Sequence, residues 1–172
     1  MSRVVLFGAG ATGGRVARQL RTSGVVDELE IRDPDRERVD TLLTDLGPWA
    51  TTGGGRRIAS GTDLVVVATP TGSQVGIARR ALEIGAAVVT TSNQTSEVRR
   101  LLGLDALARQ VERPLVVGAG FMPGLTCLLA RHGAREYDEV EEIHVAKVGT
   151  GGPACARQHH RALSLTLSLI HI

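Results

Sequence analysis

Three glycines near the start of the chain have the spacing of a phosphate-binding turn. Gly8, Gly10 and Gly13 form the pattern G-x-G-x-x-G between an apolar run and a segment with helical periodicity. Asp33 follows about 20 residues later, after a second apolar run, and its carboxylate can accept hydrogen bonds from ribose hydroxyls. Together these residues predict a site for a dinucleotide.

Each residue of the turn has its own role in this prediction. Gly8 allows the chain to turn sharply out of the strand, Gly10 lets a diphosphate approach the backbone, and Gly13 lets the following helix pack closely. The amide groups of Ala11 and Thr12 stand at the start of that helix, where the helix dipole attracts an anion. The turn is therefore predicted to bind the diphosphate through its main chain.

The elements that must position these residues alternate along the chain. Strands are predicted at 3–7, 28–32, 63–68, 86–91 and 114–118, with a further strand at 49–52 or 56–59. Alternating polarity at 141–148 predicts another strand with one polar face, at the start of a second domain. Helices are predicted from residue 14, at 34–46, at 73–84, at 92–110 with a break at Gly103, and at 125–132. The alternation predicts an α/β fold, a Rossmann-type doubly wound parallel sheet with helices on both faces.

Residues 118–130, G-A-G-F-M-P-G-L-T-C-L-L-A, add a second motif. With the opening turn and the strand at 63–70, they resemble the saccharopine dehydrogenase-like family over roughly residues 3–163. The resemblance implies an NAD(P)-binding domain at 1–135, followed at 136–166 by the start of a truncated substrate domain. It also implies an oxidoreductase acting on an amino acid, keto acid or imine-type substrate, with homodimer formation through the missing domain as an option.

The strand ends define where the cofactor would lie. In an open α/β sheet, ligands bind at the carboxyl ends of the strands near the point where strand order reverses. Beyond the first turn, adenosine and diphosphate are therefore predicted to contact Asp33, Ala68, Thr69 and Pro70. Nicotinamide is predicted to contact Thr91, Gly118 and Gly120. Ordinary loop chemistry is the alternative for Thr69, Pro70 and Thr91.

The sequence leaves NAD and NADP both open, with NAD slightly favoured. The charge of Asp33 would repel a 2′-phosphate, whereas Arg32, Arg36 and Arg38 lie close by and could pair with one.

No catalytic residue can be assigned from the sequence. Lys147, His159, His160 and Tyr137 are candidates for a general acid or base, but surface positions are the simpler interpretation. Cys127 stands among leucines and is expected to be buried. No histidine or cysteine spacing indicates a metal site.

Composition narrows the class of protein. The net charge is +2, and the sequence has no basic cluster. We therefore expect a small-molecule substrate and no nucleic-acid partner. No apolar run reaches the roughly 20 residues that span a bilayer, and the chain enters a strand at once, so we expect a cytoplasmic protein without a signal peptide.

The last six residues, 167–172, read L-S-L-I-H-I. These letters match a translation of CTG TCT CTT ATA CAC ATC, the end of a transposon adapter used in sequencing libraries. We therefore expect a non-native tail on a fragment. Two alternatives to a saccharopine dehydrogenase-like oxidoreductase are a regulatory or sensing NAD-binding module without catalysis and a reductase of the dihydrodipicolinate type.

Overall fold

The computed structural model describes residues 2–55, 57–145, 152, 153, 156, 157 and 160. Within them, parallel strands form one sheet in the order β3-β2-β1-β4-β5-β6. The strands are β1 (Arg3–Phe7), β2 (Glu28–Arg32), β3 (Ala50–Thr52), β4 (Leu64–Val67), β5 (Ala87–Thr90) and β6 (Leu115–Val116). The order reverses between β1 and β4, which confirms the predicted doubly wound fold and the first of the two locations for the third strand.

The described helices are α1 (Ala11–Ser23), α2 (Arg36–Leu46), α3 (Gln74–Glu83), α4 (Thr95–Leu102), α5 (Asp105–Gln110) and α6 (Thr126–Ala134). The side chain of Asp35 accepts a hydrogen bond from the Arg38 amide and so caps α2. Gly24, at φ +66°, ends α1 in the left-handed conformation that glycine adopts without strain. Gly103 separates α4 from α5, as predicted.

Helices cover both faces of the sheet because side chains alternate along each strand. On one face, Leu6 and Ile31 are fully buried against α1 and α2, which contribute Ala17 and Leu42. On the other face, residues of α3, α4 and α5 cover Val5, Val65 and Val88. Two separate apolar cores thus hold the strand ends in fixed relative positions.

The region after β6 differs from its prediction. Residues 141–145 are described without strand structure, so the strand expected over 141–148 is wrong in this stretch, and 146–148 lie outside the described residues. Alternating polarity supports a strand only where a neighbour supplies hydrogen bonds. The domain limits, the homodimer and the cytoplasmic location stay predictions, and 161–172 lie outside the described residues.

Helix α6 also differs from its prediction. Cys127 is exposed, and its neighbours Leu128 and Leu129 are 67% and 57% exposed, so the expected burial of Cys127 is wrong. The reason is that α6 makes its main described contacts with the short helical turn before it, Phe121–Leu125.

Among the described helices, none has the length and hydropathy that crossing a bilayer requires.

Candidate dinucleotide-binding site

The carboxyl ends of the strands meet along one edge of the sheet. Amide groups just after four of the strands donate to the end of a neighbouring strand. Gly8, Ala68 and Thr91 directly follow β1, β4 and β5 and donate to the carbonyls of Arg32 (2.8 Å), Phe7 (2.8 Å) and Val67 (3.1 Å). Ala119, three residues after β6, donates to the Thr90 carbonyl at 2.8 Å. These bonds bring the residues predicted from separate motifs onto a single edge, with the reversal between β1 and β4 at its centre.

The three glycines of the first turn differ in what they would tolerate. Gly8 has φ +105°, and a Cβ atom there would lie 2.5 Å from the Ala68 carbonyl oxygen. A Cβ atom at Gly13 would overlap the carbonyl oxygen of Gly8. Gly10 has an ordinary φ of −74°, and a Cβ atom there would meet nothing within 4 Å. Packing therefore explains Gly8 and Gly13 but not Gly10.

The open face of Gly10 adjoins the start of α1. Gly10 caps this helix without a side-chain hydrogen bond, and the Gly14 amide donates to the Gly10 carbonyl at 2.8 Å. The amides of Ala11 and Thr12 precede that bond, and both residues are exposed. Such N–H groups, together with the helix dipole, suit an anion. Gly152 also lies here, since a Cβ atom on it would be 3.2 Å from the Cβ of Ala11.

The carboxylate of Asp33 joins two segments of backbone. Its Oδ2 accepts the amide hydrogen of Ala9 at 2.8 Å, and its Oδ1 accepts that of Asp35 at 2.9 Å. Asp33 is half-buried. A carboxylate has about four lone-pair positions, so these two bonds leave capacity for ribose hydroxyls. Asp33 thus holds the glycine turn in place while one side of it stays accessible.

A cleft of about 510 Å³ extends from Gly10 between the first turns of α1 and α2. It is lined by Ala9, Gly10, Ala11, Gly14, Arg18, Asp35, Glu37, Arg38, Thr41 and Leu42. Its arginines are paired with nearby acids: the Nε of Arg38 lies 2.9 Å from Asp35, and Arg18 contacts Asp45. The cleft is therefore mixed in charge.

Arg32 is not available for a 2′-phosphate, contrary to the option raised from the sequence. It is 8% exposed, forms an ion pair with Glu30 and donates a 2.8 Å hydrogen bond to the carbonyl of Arg57. Its guanidinium also lies 5.4 Å from the centre of the Phe7 ring. Position on a strand, where alternate residues face the core, decides this burial.

The loops after β4 and β5 form the other part of the edge. The Thr69 hydroxyl shares a 2.8 Å hydrogen bond with that of Ser73, and Pro70 beside it is exposed. The Thr91 hydroxyl donates to the Val67 carbonyl at 3.2 Å. A Cβ atom on Gly120 would lie 3.7 Å from the Thr91 carbonyl, an ordinary contact. Thr91 and Gly120 are thus neighbours. Gly118, with φ +74°, makes a turn two residues before Gly120.

Sequence reasoning missed Glu97, which connects these two loops. Glu97 is 3% exposed, and its carboxylate accepts hydrogen bonds from the amides of Gly72 (2.9 Å) and Gln74 (3.2 Å) and from the hydroxyl of Ser92 (2.9 Å). A signal was present, because Glu97 precedes the buried Leu101 by one helical turn and so shares its inward face.

The structure describes two of the four candidate acids and bases. Tyr137 is 71% exposed and His160 is exposed, whereas Lys147 and His159 lie outside the described residues. Two shifted pKa values belong to groups near the opposite edge. The pKa of Asp27 is lowered by hydrogen bonds from the Ser2 amide and hydroxyl, and the pKa of Arg109 is raised by Asp105. Within the described residues, no cluster of three or more metal-ligating side chains occurs.

No family model matches the sequence. Solved structures share its fold. GenD2 from gentamicin A biosynthesis, in complex with NAD, has a TM-score of 0.64 and 24% identity over 77% of this chain and 38% of its own. Saccharopine dehydrogenase (L-Glu forming) from Saccharomyces cerevisiae has a TM-score of 0.67 and 18% identity over 79% of this chain and 31% of its own.

Biliverdin reductase from Synechocystis, in complex with biliverdin and NADP+, has a TM-score of 0.60 and 23% identity over 67% of this chain and 37% of its own. The chain thus spans between 31% and 38% of the length of these three proteins. At these identities the matches show a shared Rossmann-type fold, and they confirm at that level the resemblance to saccharopine dehydrogenase-like proteins.

Proposed function

We propose that this chain is the cofactor-binding part of an NAD(P)-dependent oxidoreductase. The proposal rests on the backbone conformation and the surroundings of Gly10. Neither its φ nor its surroundings require glycine, whereas a diphosphate that must approach the backbone does. Gly8 and Gly13 are needed to shape the same turn, so all three glycines acquire a physical reason.

The residues present fit a dinucleotide across the reversal of strand order. The amides of Ala11 and Thr12 would hold the diphosphate, and Asp33 would accept hydrogen bonds from the adenine ribose. The adenosine and diphosphate would also contact Ala68, Thr69 and Pro70, and the nicotinamide end would lie near Thr91, Gly118 and Gly120. In the classic strand order, the two halves of a dinucleotide occupy the two sides of the switch point.

NAD is the better fit of the two cofactors. The carboxylate of Asp33 disfavours a 2′-phosphate, and two of the three arginines that could attract one are paired: Arg32 with Glu30 and Arg38 with Asp35. The solved relatives include complexes with NAD and with NADP+, so the fold itself accommodates both.

The proposed reaction is the interconversion of an amino acid with a keto acid or imine-type substrate. A bound nicotinamide would supply the hydride chemistry, and the described residues would bind and orient it. Support for this substrate class is the resemblance of residues 118–130 and the match to a saccharopine dehydrogenase fold.

A regulatory or sensing module without catalysis is the second candidate. It is favoured by one observation: the described loops at 68–73, 91–93 and 118–122 contain no ionisable side chain. The hydroxyls and amides of these loops can orient a ligand, but they provide no evident general acid or base.

Calorimetric titration with NADH and NADPH tests the proposal. We expect the wild-type chain to bind NADH more tightly than NADPH. Gly10→Ala should weaken NADH binding roughly tenfold or more, because a methyl group would occupy the path of the diphosphate. Its melting temperature should match wild type, since the position is open. A folded wild-type chain that binds neither nucleotide would overturn the proposal.

Turnover then separates the two candidates. A longer natural version of the chain should oxidise NADH in the presence of one member of a panel of keto acids and amines. Nucleotide binding without turnover on the whole panel would favour the sensing module.

A further inference from the structure

The carboxylate of Glu97 joins the two loops that lie on the β4 side of the switch point. Its Oε1 accepts the amide hydrogens of Gly72 and Gln74 at the start of α3, and its Oε2 accepts the hydroxyl of Ser92 after β5. Glu97 belongs to neither loop, since it lies in the first turn of α4. One buried side chain therefore sets the distance between the loop after β4 and the loop after β5.

The surroundings make this connection stiff. Glu97, Gln74 and Ser92 are each at most 3% exposed, so water does not compete for their hydrogen bonds. The Gln74 side chain also donates to the carbonyl of Thr69 at 2.6 Å. The negative charge faces the amino end of α3, where the helix dipole favours it. Thr69 and Thr91, both predicted cofactor contacts, thus stand on segments that Glu97 holds together.

We propose that Glu97 is the positioning residue for the nicotinamide end of the site. This inference rests on the proposed function, in which the loop after β4 contacts the diphosphate and the loop after β5 contacts the nicotinamide. The distance between these two loops then sets where the nicotinamide end can lie. Glu97 is too deeply buried to touch a ligand, so it acts through the backbone of Gly72 and through Ser92. Its loss would disturb one end of a bound dinucleotide and leave the Asp33 end intact.

Two ligands distinguish the adenosine end of the site from the nicotinamide end. NADH spans the whole site, whereas ADP-ribose has the adenosine, diphosphate and second ribose but no nicotinamide. Calorimetry should show that Glu97→Ala weakens NADH binding roughly tenfold. ADP-ribose should lose less than about threefold, because the amides of Ala11 and Thr12 and the carboxylate of Asp33 still hold it. A role confined to general stability would lower the affinity for both ligands equally.

A conservative variant, Glu97→Gln, tests whether the hydrogen bonds alone are enough for NADH binding. In Glu97→Gln, the amide oxygen can keep the hydrogen bonds from Gly72 and Gln74, and the amide nitrogen can donate to the Ser92 oxygen. We expect this variant to bind NADH within roughly threefold of wild type, because hydrogen-bond geometry and not charge does the positioning. A tenfold loss in Glu97→Gln would contradict that assignment.

Ser92→Ala keeps the test decisive if Glu97→Ala does not fold. It removes the link to the loop after β5 and leaves both bonds to α3. We expect a loss of NADH affinity of roughly threefold with ADP-ribose unchanged. Equal effects on both ligands, or none on either, in all folded variants would overturn the inference. A wild-type chain that binds neither ligand would instead refute the proposed function.

Discussion

The two sides of the switch point use the same device, a carboxylate that accepts backbone amides, in different surroundings. On the β1–β2 side, Asp33 is half-buried and joins Ala9 to Asp35. On the β4–β5 side, Glu97 is 3% exposed and joins the start of α3 to Ser92. Asp33 keeps an accessible face and can contact a ligand itself, whereas Glu97 acts only through the groups it holds.

Close backbone contact shapes a glycine turn on each side of the switch point. The turn after β1 has no room for a side chain at Gly8 or Gly13. The turn after β6 has ordinary space beside Gly120, but a Cβ atom at Gly124 would lie 2.6 Å from the Gly118 carbonyl oxygen. The β4–β5 side differs in that the buried side chain of Glu97 also joins two of its loops. The β1–β2 side is therefore tested by filling its glycines, and the β4–β5 side by removing Glu97 or Ser92.

The largest effect is expected from Gly13→Ala. The new Cβ atom would overlap the Gly8 carbonyl oxygen, which is backbone and cannot move aside. We expect the free energy of unfolding, measured in urea, to fall by about 3 kcal/mol, as when a closed site is overpacked.

Gly10→Ala and Gly120→Ala are the matched controls, since both positions have space for a methyl group. Their free energies of unfolding should stay within about 0.5 kcal/mol of wild type. If Gly13→Ala were as stable as these controls, the turn would be able to relax, and close backbone contact would not shape the β1–β2 side.

Asp33→Asn should give the next largest effect. An amide has one acceptor oxygen, so either the Ala9 or the Asp35 amide loses its partner, and the charge that disfavours a 2′-phosphate is removed. We expect NADH and ADP-ribose affinities to fall together by roughly tenfold in calorimetry, with NADPH affected less. This pattern is the reverse of that expected for Glu97→Ala. If Asp33→Asn lowered the affinity for NADH but not for ADP-ribose, Asp33 would lie at the nicotinamide end of the ligand and not at the adenosine end.

The β1–β2 side could be predicted from the sequence because its signal is local. Three glycines, an apolar run on either side and Asp33 all belong to one strand–helix–strand unit, and the structure places them as that unit requires. Glu97 could not be predicted in the same way. Its partners Gly72 and Gln74 precede it by more than 20 residues, and tertiary packing of α3 on α4 brings them together.

Two of the wrong predictions, the burial of Cys127 and the strand at 141–145, share one physical cause. The pattern around Cys127 and the alternation at 141–145 show which residues could be buried, but not whether a neighbour exists to bury them. The prediction that Arg32 could pair with a 2′-phosphate has a different origin, because Arg32 is next to Asp33 in the sequence and so suggested a shared surface. The strand places it instead beneath the segment after β3, paired with Glu30.

A third carboxylate, Asp27, gives the smallest expected effect and tests whether location matters. It accepts hydrogen bonds from the Ser2 amide and hydroxyl just before β2, at the edge opposite the site. These bonds lower its pKa below the ordinary value. Asp27 therefore adds stability above the unfolded-state pKa, and this contribution is lost as the pH falls through the lower folded-state pKa.

Asp27→Asn should slightly lower the melting temperature near neutral pH, and the difference from wild type should vanish once the pH falls below the lowered folded-state pKa of Asp27. The effect is small because the carboxylate is exposed and screened by water. NADH and ADP-ribose should bind to Asp27→Asn as they do to wild type. A change in either affinity would mean that backbone-binding carboxylates act through overall stability. The contrast between Asp33 and Glu97 would then no longer reflect the two ends of a ligand.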